Sequence, residues 1–216
     1  MYNPWEEIDL NDYENHMSLG SIYQLQTMNQ MMREQFCEYN VNSVMILGVA
    51  GGNGLEHIDK EKISTVYGVD INRNYLNECV KRYSALGDIF KPVCADLTDS
   101  SSELPCAELL VANLLIEYIG YECFQRVVNK VNAGYVSCII QINTETSFVS
   151  ESPYLHVFDR LDEVHHQMEE SILIDSMLKI GYVNVLADEK SLPNGKKLVR
   201  LDFMKKVYKG KYNENI

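Results

Sequence analysis

Apolar residues recur along this chain in two rhythms, every three or four positions or in short continuous runs. The switches between them predict its elements. Ser18 caps a predicted helix over 18–39, with Ile22, Leu25, Met28, Met32 and Phe36 on one face. Val44, Met45, Ile46 and Leu47 then run into Gly48, Gly51, Gly52 and Gly54, followed by helix-compatible Leu55 to Ile58. Residues 43–58 thus read as a strand, a tight turn and the start of a helix whose free N–H groups face an anionic group. Residues 65–70 (TVYGVD) form a β-branched strand ending in an acid, and Asn72 caps a helix carrying Tyr75, Leu76, Cys79, Tyr83 and Leu86, closed by Gly87. Residues 90–94 (FKPVC) make a strand that Pro92 confines to an edge or end. A strand at 109–113 starts near Cys106, a helix covers 121–131, and 134–142 (GYVSCIIQI) is a nearly continuous apolar strand. A polar connection occupies 143–160, a long helix over 161–180 stops at Gly181, and strands at 182–186 and 198–205 join through Leu192-Pro193-Asn194-Gly195. Residues 1–17 read as irregular and the last ten as frayed.

Five strands alternating with helices predict a parallel sheet covered on both faces, with the closing strand pair adding an antiparallel element at its edge. No repeat or linker divides the 216 residues, so one domain is expected, a helical cap segment over 1–42 and a core over 43–206. No apolar run is long enough to span a membrane, and the acidic opening MYNPWEEIDLNDYE lacks the apolar stretch of a signal peptide. A net charge of −12 argues against nucleic acid or an anionic membrane as partner. The late basic residues (Lys196, Lys197, Arg200, Lys205, Lys206, Lys209, Lys211) read as solvent-side charges protecting an edge. Six cysteines without a CxxC pair suit a reducing cytoplasm, and neither they nor the scattered histidines suggest a metal site. His165 and His166 would point about 100° apart on a helix, a poor chelate.

In open parallel sheets a ligand lies beyond the carboxyl ends of the strands, so the residues following each strand carry the chemistry. Here these are the glycine turn, Asp70, Asp96 and Asn113 with Leu114. An acid after the second strand can accept both hydroxyls of a ribose, and one after the third suits the exocyclic amine of adenine. Each feature alone has a structural reading: the glycines pack a helix on a sheet, and each Asp caps a helix or sits in a solvated loop. Converging on one crevice, they describe an adenosyl pocket.

In their order and spacing, ILGVAGGNG, VYGVDIN, VCADLTD and LLVANLLIEY resemble the class I S-adenosylmethionine-dependent methyltransferases over residues 43–206. The resemblance implies an α/β, Rossmann-like, mostly parallel seven-stranded sheet with an antiparallel last strand, helices on both faces and an extra N-terminal helix. It implies S-adenosyl-L-methionine as cofactor. Gly48, Ala50 and Gly52 would hold the turn against its methionine part, and Asp70 would accept the ribose hydroxyls with Ile71 and Asn72 beside it. Asp96 would receive the adenine amine, Leu97 would offer its N–H to the ring, and Asn113 and Leu114 would line the crevice near the sulfonium. Two positions depart from the family. Ile46 stands where an acid is common, leaving the cofactor ammonium to backbone carbonyls or to Tyr13, Gln24 or Asn113. Ala50 replaces a glycine, which a negative φ would accommodate.

The implied reaction is methyl transfer to a small-molecule acceptor in the cytoplasm, in which alignment and desolvation supply much of the rate. Candidate bases are His16, Glu117 and His156, and Tyr13, Tyr23, Tyr118 and Tyr154 are candidates for shaping the acceptor pocket. Residues 1–17 are expected to close over the crevice. The competing readings are an NAD-dependent oxidoreductase, which shares the turn and the acid after the second strand, a non-catalytic binding or sensor protein, and an aminopropyl transferase. Against the oxidoreductase, Ala50 breaks GxGxxG and Asp96 has no task there. Oligomeric state is not legible in the sequence.

Overall fold

The computed structural model describes residues 3–143 and 148–206. Seven strands, β1 (Ser43–Leu47), β2 (Thr65–Asp70), β3 (Phe90–Cys94), β4 (Leu109–Asn113), β5 (Tyr135–Ile142), β6 (Tyr182–Ser191) and β7 (Lys197–Lys205), form one sheet in the order β3-β2-β1-β4-β5-β7-β6. β1 to β5 run parallel, and β7 is antiparallel to both of its neighbours. This is the Rossmann-like arrangement the sequence predicts, with β3 as the edge strand that Pro92 requires.

β1 shows why its sequence is apolar throughout. Val44 and Ile46 face one core cluster, Met45 and Leu47 the other, so both faces of the strand are covered. Helices α2 (Gln24–Glu38) and α3 (Arg73–Arg82) cover the first face with Met31, Phe36, Leu76 and Cys79. Helices α4 (Ile116–Val131) and α5 (Glu170–Lys179) cover the second with Phe124, Val128, Leu173 and Met177. Ile46 is therefore a core residue under α2, not part of a ligand site.

The structure departs from the predicted elements at several places. Helix α3 gives way after Arg82 to a 3-10 segment (Ser84–Ile89), α4 starts at Ile116 ahead of the predicted 121, and β6 runs on to Ser191. The predicted helix over 18–39 begins only at Gln24, as α2, and Ser18 is not its cap but the last residue of a separate helix, α1 (Leu10–Ser18), capped by Asp9. The chain reverses between them because the Ile22 and Tyr23 N–H groups both bond the Leu19 carbonyl, leaving Tyr23 left-handed at φ 54°. Residues 10–17, read as irregular, thus belong to a helix with Leu10 and Met17 buried. After the glycine turn there is one 3-10 turn, Leu55–His57, and no α-helix start. Asp59 stops it by accepting the Glu61 N–H at 3.0 Å while its carbonyl accepts those of Lys62 and Ile63.

The predicted helix over 161–180 is instead a 3-10 segment (Leu155–Glu163), an extended stretch and α5. Tertiary contacts hold that stretch open: His165 stacks on Phe148 with centroids 3.8 Å apart, and the His166 N–H bonds the Glu117 carbonyl at 2.6 Å. Finally, two of the late basic residues are not at the surface. Lys196 and Arg200 are buried, and the Arg200 guanidinium grips Asp202 through Nε at 2.9 Å and Nη2 at 2.5 Å. Asp202 also accepts from Tyr39 Oη at 2.9 Å and from Ser137 Oγ. The expected frayed tail, including Lys209 and Lys211, lies outside the described residues, as does part of the 143–160 connection.

Candidate active site

Strand order reverses between β1 and β4, and a crevice opens beyond their carboxyl ends. It encloses about 710 Å³ of empty space, partly open to solvent. The parallel register brings Gly48, Ala50, Asp70, Ile71, Asp96, Leu97, Asn113 and Leu114 to its wall. Trp5, Tyr13, Tyr75 and Tyr118 close it with aromatic rings.

Asp70 is the organising group. Its Oδ2 accepts the Ala50 N–H at 2.9 Å and its Oδ1 the Asn72 N–H at 2.8 Å, and each oxygen keeps a lone pair for a further donor. Burial raises its pKa against the pull of these backbone donors. Asn72 caps α3 by accepting the Asn74 and Tyr75 N–H groups and donates Nδ2 to the Trp5 carbonyl at 3.0 Å. Tyr75 Oη donates to the Ile8 carbonyl at 2.8 Å. The segment before α1 is thereby tied over the crevice. Asp96 uses Oδ1 to accept the Thr98 N–H at 2.8 Å and its hydroxyl at 2.7 Å, and the Leu97 N–H has no partner among the described residues.

Ala50 has φ 46°, not the negative value expected from its side chain. The bond to Asp70 holds it in the left-handed region, at a cost of about 1 kcal/mol for an L-residue. Gly52 faces away from the crevice: a Cβ there would lie 2.6 Å from the Tyr83 ring and 2.8 Å from Cys79 Sγ, so it lets the turn pack on α3. Asn72 adjoins Asp70 without lining the crevice. Of the side chains considered for a cofactor ammonium, Tyr13 and Asn113 line the crevice. The Asn113 amide is taken up by Gln35 in both directions, at 2.9 and 3.0 Å, and Gln24 pairs with Gln141 at 2.8 Å.

Behind the crevice lies a second chamber with about 540 Å³ of empty space. The two cavities share Trp5, Tyr13, Leu114 and Tyr118. Glu117 reaches the chamber on a single turn that precedes the main run of α4, where Gly120 breaks the helix at φ 73°, ψ 164°. That conformation is open to glycine alone at low cost. Glu117 is 4% exposed, its Oε1 accepts the Gln141 N–H at 3.2 Å, and its Oε2 has no hydrogen bond. Burial pushes its carboxyl up to about 7, against the opposing pull of backbone donors. His16 also lines the chamber, with Nδ1 2.7 Å from Ser152 Oγ. Burial first, and the Lys196 charge second, push His16 down to about 4, so it is neutral near pH 7.

The structure thus brings His16, Glu117, Tyr13 and Tyr118 to the cavities. Tyr23 is 44% exposed, His156 is exposed, and neither they nor Tyr154 line either cavity. Sequence reasoning did not pick out Trp5, Tyr75, Phe148, Phe158 or His165, which line one or both. The polar-aromatic character of the opening residues was the available signal for Trp5; Phe148 and Phe158 sit in a connection without periodicity. No group of three or more His, Cys, Asp or Glu that could hold a metal occurs among the described residues, and no described helix is long and apolar enough to cross a membrane.

No protein-family model matches the sequence, and a search of curated proteins finds no match. Solved structures do match. The N-methyltransferase NodS from Bradyrhizobium japonicum WM9, in complex with S-adenosylhomocysteine, superposes with a TM-score of 0.66 at 10% identity, covering 92% of this chain and 98% of NodS. Magnesium protoporphyrin IX methyltransferase from Synechocystis PCC 6803, also with S-adenosylhomocysteine, gives 0.64 at 11% identity, covering 91% and 94%. The [4+2]-cyclase SpnF gives 0.63 at 10%, covering 84% and 81%. The chain has the fold of class I methyltransferases. A cyclase shares that fold, so activity must be argued from the site.

Proposed function

We propose that the protein is an S-adenosylmethionine-dependent methyltransferase of a small molecule, with the cofactor in the crevice and the acceptor in the chamber. The observation that carries this reading is the adjacency of two cavities with a shared wall. A crevice holding Asp70, Asp96 and the glycine turn shares Trp5, Tyr13, Leu114 and Tyr118 with a chamber rich in aromatic rings. The residues fit an adenosyl group. Asp70 keeps two outward lone pairs for a vicinal diol, Asp96 has Oδ2 without an intramolecular bond, and the Leu97 N–H awaits an acceptor. Gly48 leaves the backbone bare at the end of β1, where a Cβ would lie 3.2 Å from Leu115 Cδ1.

When bound, the cofactor supplies an electrophilic methyl group on a positive sulfur. The chain's own residues do the rest. Asp70 and Asp96 orient, Leu114 and Tyr118 form the wall common to both cavities, and Trp5 and Tyr13 exclude water. Of the candidate bases, Glu117 has a pKa near working pH, whereas His16 is too weak a base to hold a proton there. The strand order, with β7 inserted antiparallel between β5 and β6, departs from the 3-2-1-4-5-6 order of dinucleotide folds and disfavours NAD. A cytoplasmic setting belongs to the same reading and is supported by six unpaired cysteines, three of them buried. The acidic balance of the chain supports a partner other than nucleic acid.

Calorimetric titration with S-adenosylmethionine, S-adenosylhomocysteine and NAD tests the reading. The first two are expected to bind and to change the fluorescence of Trp5, the single tryptophan. Binding of NAD alone would overturn it, and binding without transfer to any acceptor would favour the sensor alternative.

A further inference from the structure

The chamber has its own chemistry. Among the described residues lining it Glu117 is the one carboxylate, and none is lysine or arginine. The wall offers no guanidinium or ammonium to pair with a carboxylate or phosphate, and its His16 is neutral near pH 7. Lys196 lies close by, with its ammonium donating to the Phe148 carbonyl. The Glu117 Oε2 is buried without a donor, which is costly in a folded protein and therefore calls for an explanation. Around it stand aromatic rings. Trp5 meets Tyr118 edge-on with centroids 4.9 Å apart and Tyr13 at 5.7 Å, while Phe148 and Phe158 line the far wall. Aromatic faces and one buried carboxylate form a receptor for a cation that carries N–H donors.

We infer that the methyl acceptor is a primary or secondary amine on an apolar body, held with its nitrogen on Glu117 Oε2 inside the aromatic chamber. The inference rests on the methyltransferase reading and deepens it. Leu114 and Tyr118 line both cavities, and Glu117 directly precedes Tyr118, so a nitrogen held there lies beside the wall that the chamber shares with the crevice. The amine arrives as an ammonium, and Glu117 takes one proton from it, which frees the nitrogen lone pair. That pair forms the new N–C bond as the C–S bond breaks and its electrons leave with sulfur as a neutral thioether. The product departs as the methylated ammonium, and Glu117 returns its proton to solvent.

The test separates the two layers. S-adenosylhomocysteine is first titrated into the protein; absence of binding would count against the methyltransferase reading itself. The saturated complex is then titrated with phenethylamine, N-methylbenzylamine and cyclohexylamine, each against the alcohol or ether of the same shape, and with phenylacetate. The amines are expected to bind at least about tenfold more tightly than their neutral counterparts, as suits a charge-assisted contact, and phenylacetate is expected not to bind. Glu117→Gln is expected to abolish the preference while leaving S-adenosylhomocysteine affinity unchanged. Equal binding of amine and alcohol, no binding of any amine, or preference retained in E117Q would overturn the inference. So would loss of S-adenosylhomocysteine affinity in E117Q with the amine preference intact, because Glu117 would then serve the cofactor. If E117Q does not fold, the wild-type comparison decides alone: equal binding of amine and alcohol overturns the inference, and a preference of about tenfold or more, beyond what aromatic faces alone supply, supports it.

Discussion

Replacing Glu117 by glutamine removes a carboxylate that folding buries, and the cost of burial has a pH signature. In the folded protein the carboxyl holds its proton up to about pH 7, against an ordinary value of 4.5 in the open chain. Between those values the folded state binds more protons than the unfolded state, so this group's contribution to stability falls as pH rises. It is fully present below about pH 4.5 and lost by the time pH has passed about 7. The whole difference corresponds to about 3 kcal/mol, of which about 2 kcal/mol falls between pH 5.5 and 8.5. Working above pH 5.5 also keeps clear of the sequence pI near 4.8. The E117Q variant carries no titration at this position, and its own unsatisfied amide adds an offset independent of pH. Urea unfolding of both proteins across that range, followed by far-ultraviolet circular dichroism, gives the difference in stability at each pH. Wild type is expected to lose about 2 kcal/mol relative to E117Q on going from pH 5.5 to 8.5. Parallel profiles would show that Glu117 is solvated or paired and would remove the physical basis for its role in the chamber.

Other substitutions probe other parts of the site. Asp70→Ala removes the acceptor for two backbone N–H groups as well as the diol-facing lone pairs. It is expected to weaken S-adenosylhomocysteine binding by about 2–3 kcal/mol in calorimetry and to lower the melting temperature; unchanged affinity would make Asp70 a purely structural acid. Ala50→Gly relieves a left-handed alanine at φ 46° but frees the unfolded chain, for a net gain of up to about 0.5 kcal/mol by thermal melt, and a loss of about 1 kcal/mol would contradict the strain. Asp202→Ala strands the buried Arg200 guanidinium and is expected to cost about 3 kcal/mol or more in chemical denaturation, whereas an effect below about 1 kcal/mol would mean that Glu34 and Glu38, each 3.9 Å away, suffice as partners.

Particular residues show how far the sequence could be read. The run at β1, the acids closing β2 and following β3, and Pro92 at the sheet edge each express a local rule that tertiary structure did not override. The crevice wall was legible for the same reason, since parallel strands deliver their next residues to one place. Helix boundaries failed where long-range bonds competed with periodicity. The Leu19 carbonyl turned the chain before α2, and the Glu117 carbonyl took the His166 amide. The conformation of Ala50 was hidden because its cause, Asp70, lies twenty residues away. Arg200 looked like a surface charge because its neutralising partner, Asp202, stands beside it only in the extended run of β7, where the Tyr39 hydroxyl just after α2 also holds that carboxylate. The chamber was least legible: its walls come from Trp5, Phe148 and Phe158, three segments without a shared pattern.

Asn72 has a consequence for traffic through the molecule. One side chain caps the helix beside Asp70 and holds the Trp5 carbonyl, so the amino-terminal strap and the acid-bearing loop cannot move independently. Lifting the strap to admit or release a molecule loosens the very loop that grips it. With Tyr75 holding the Ile8 carbonyl from the same helix, residence time in the crevice is expected to depend on the strap's attachment as much as on the contacts inside.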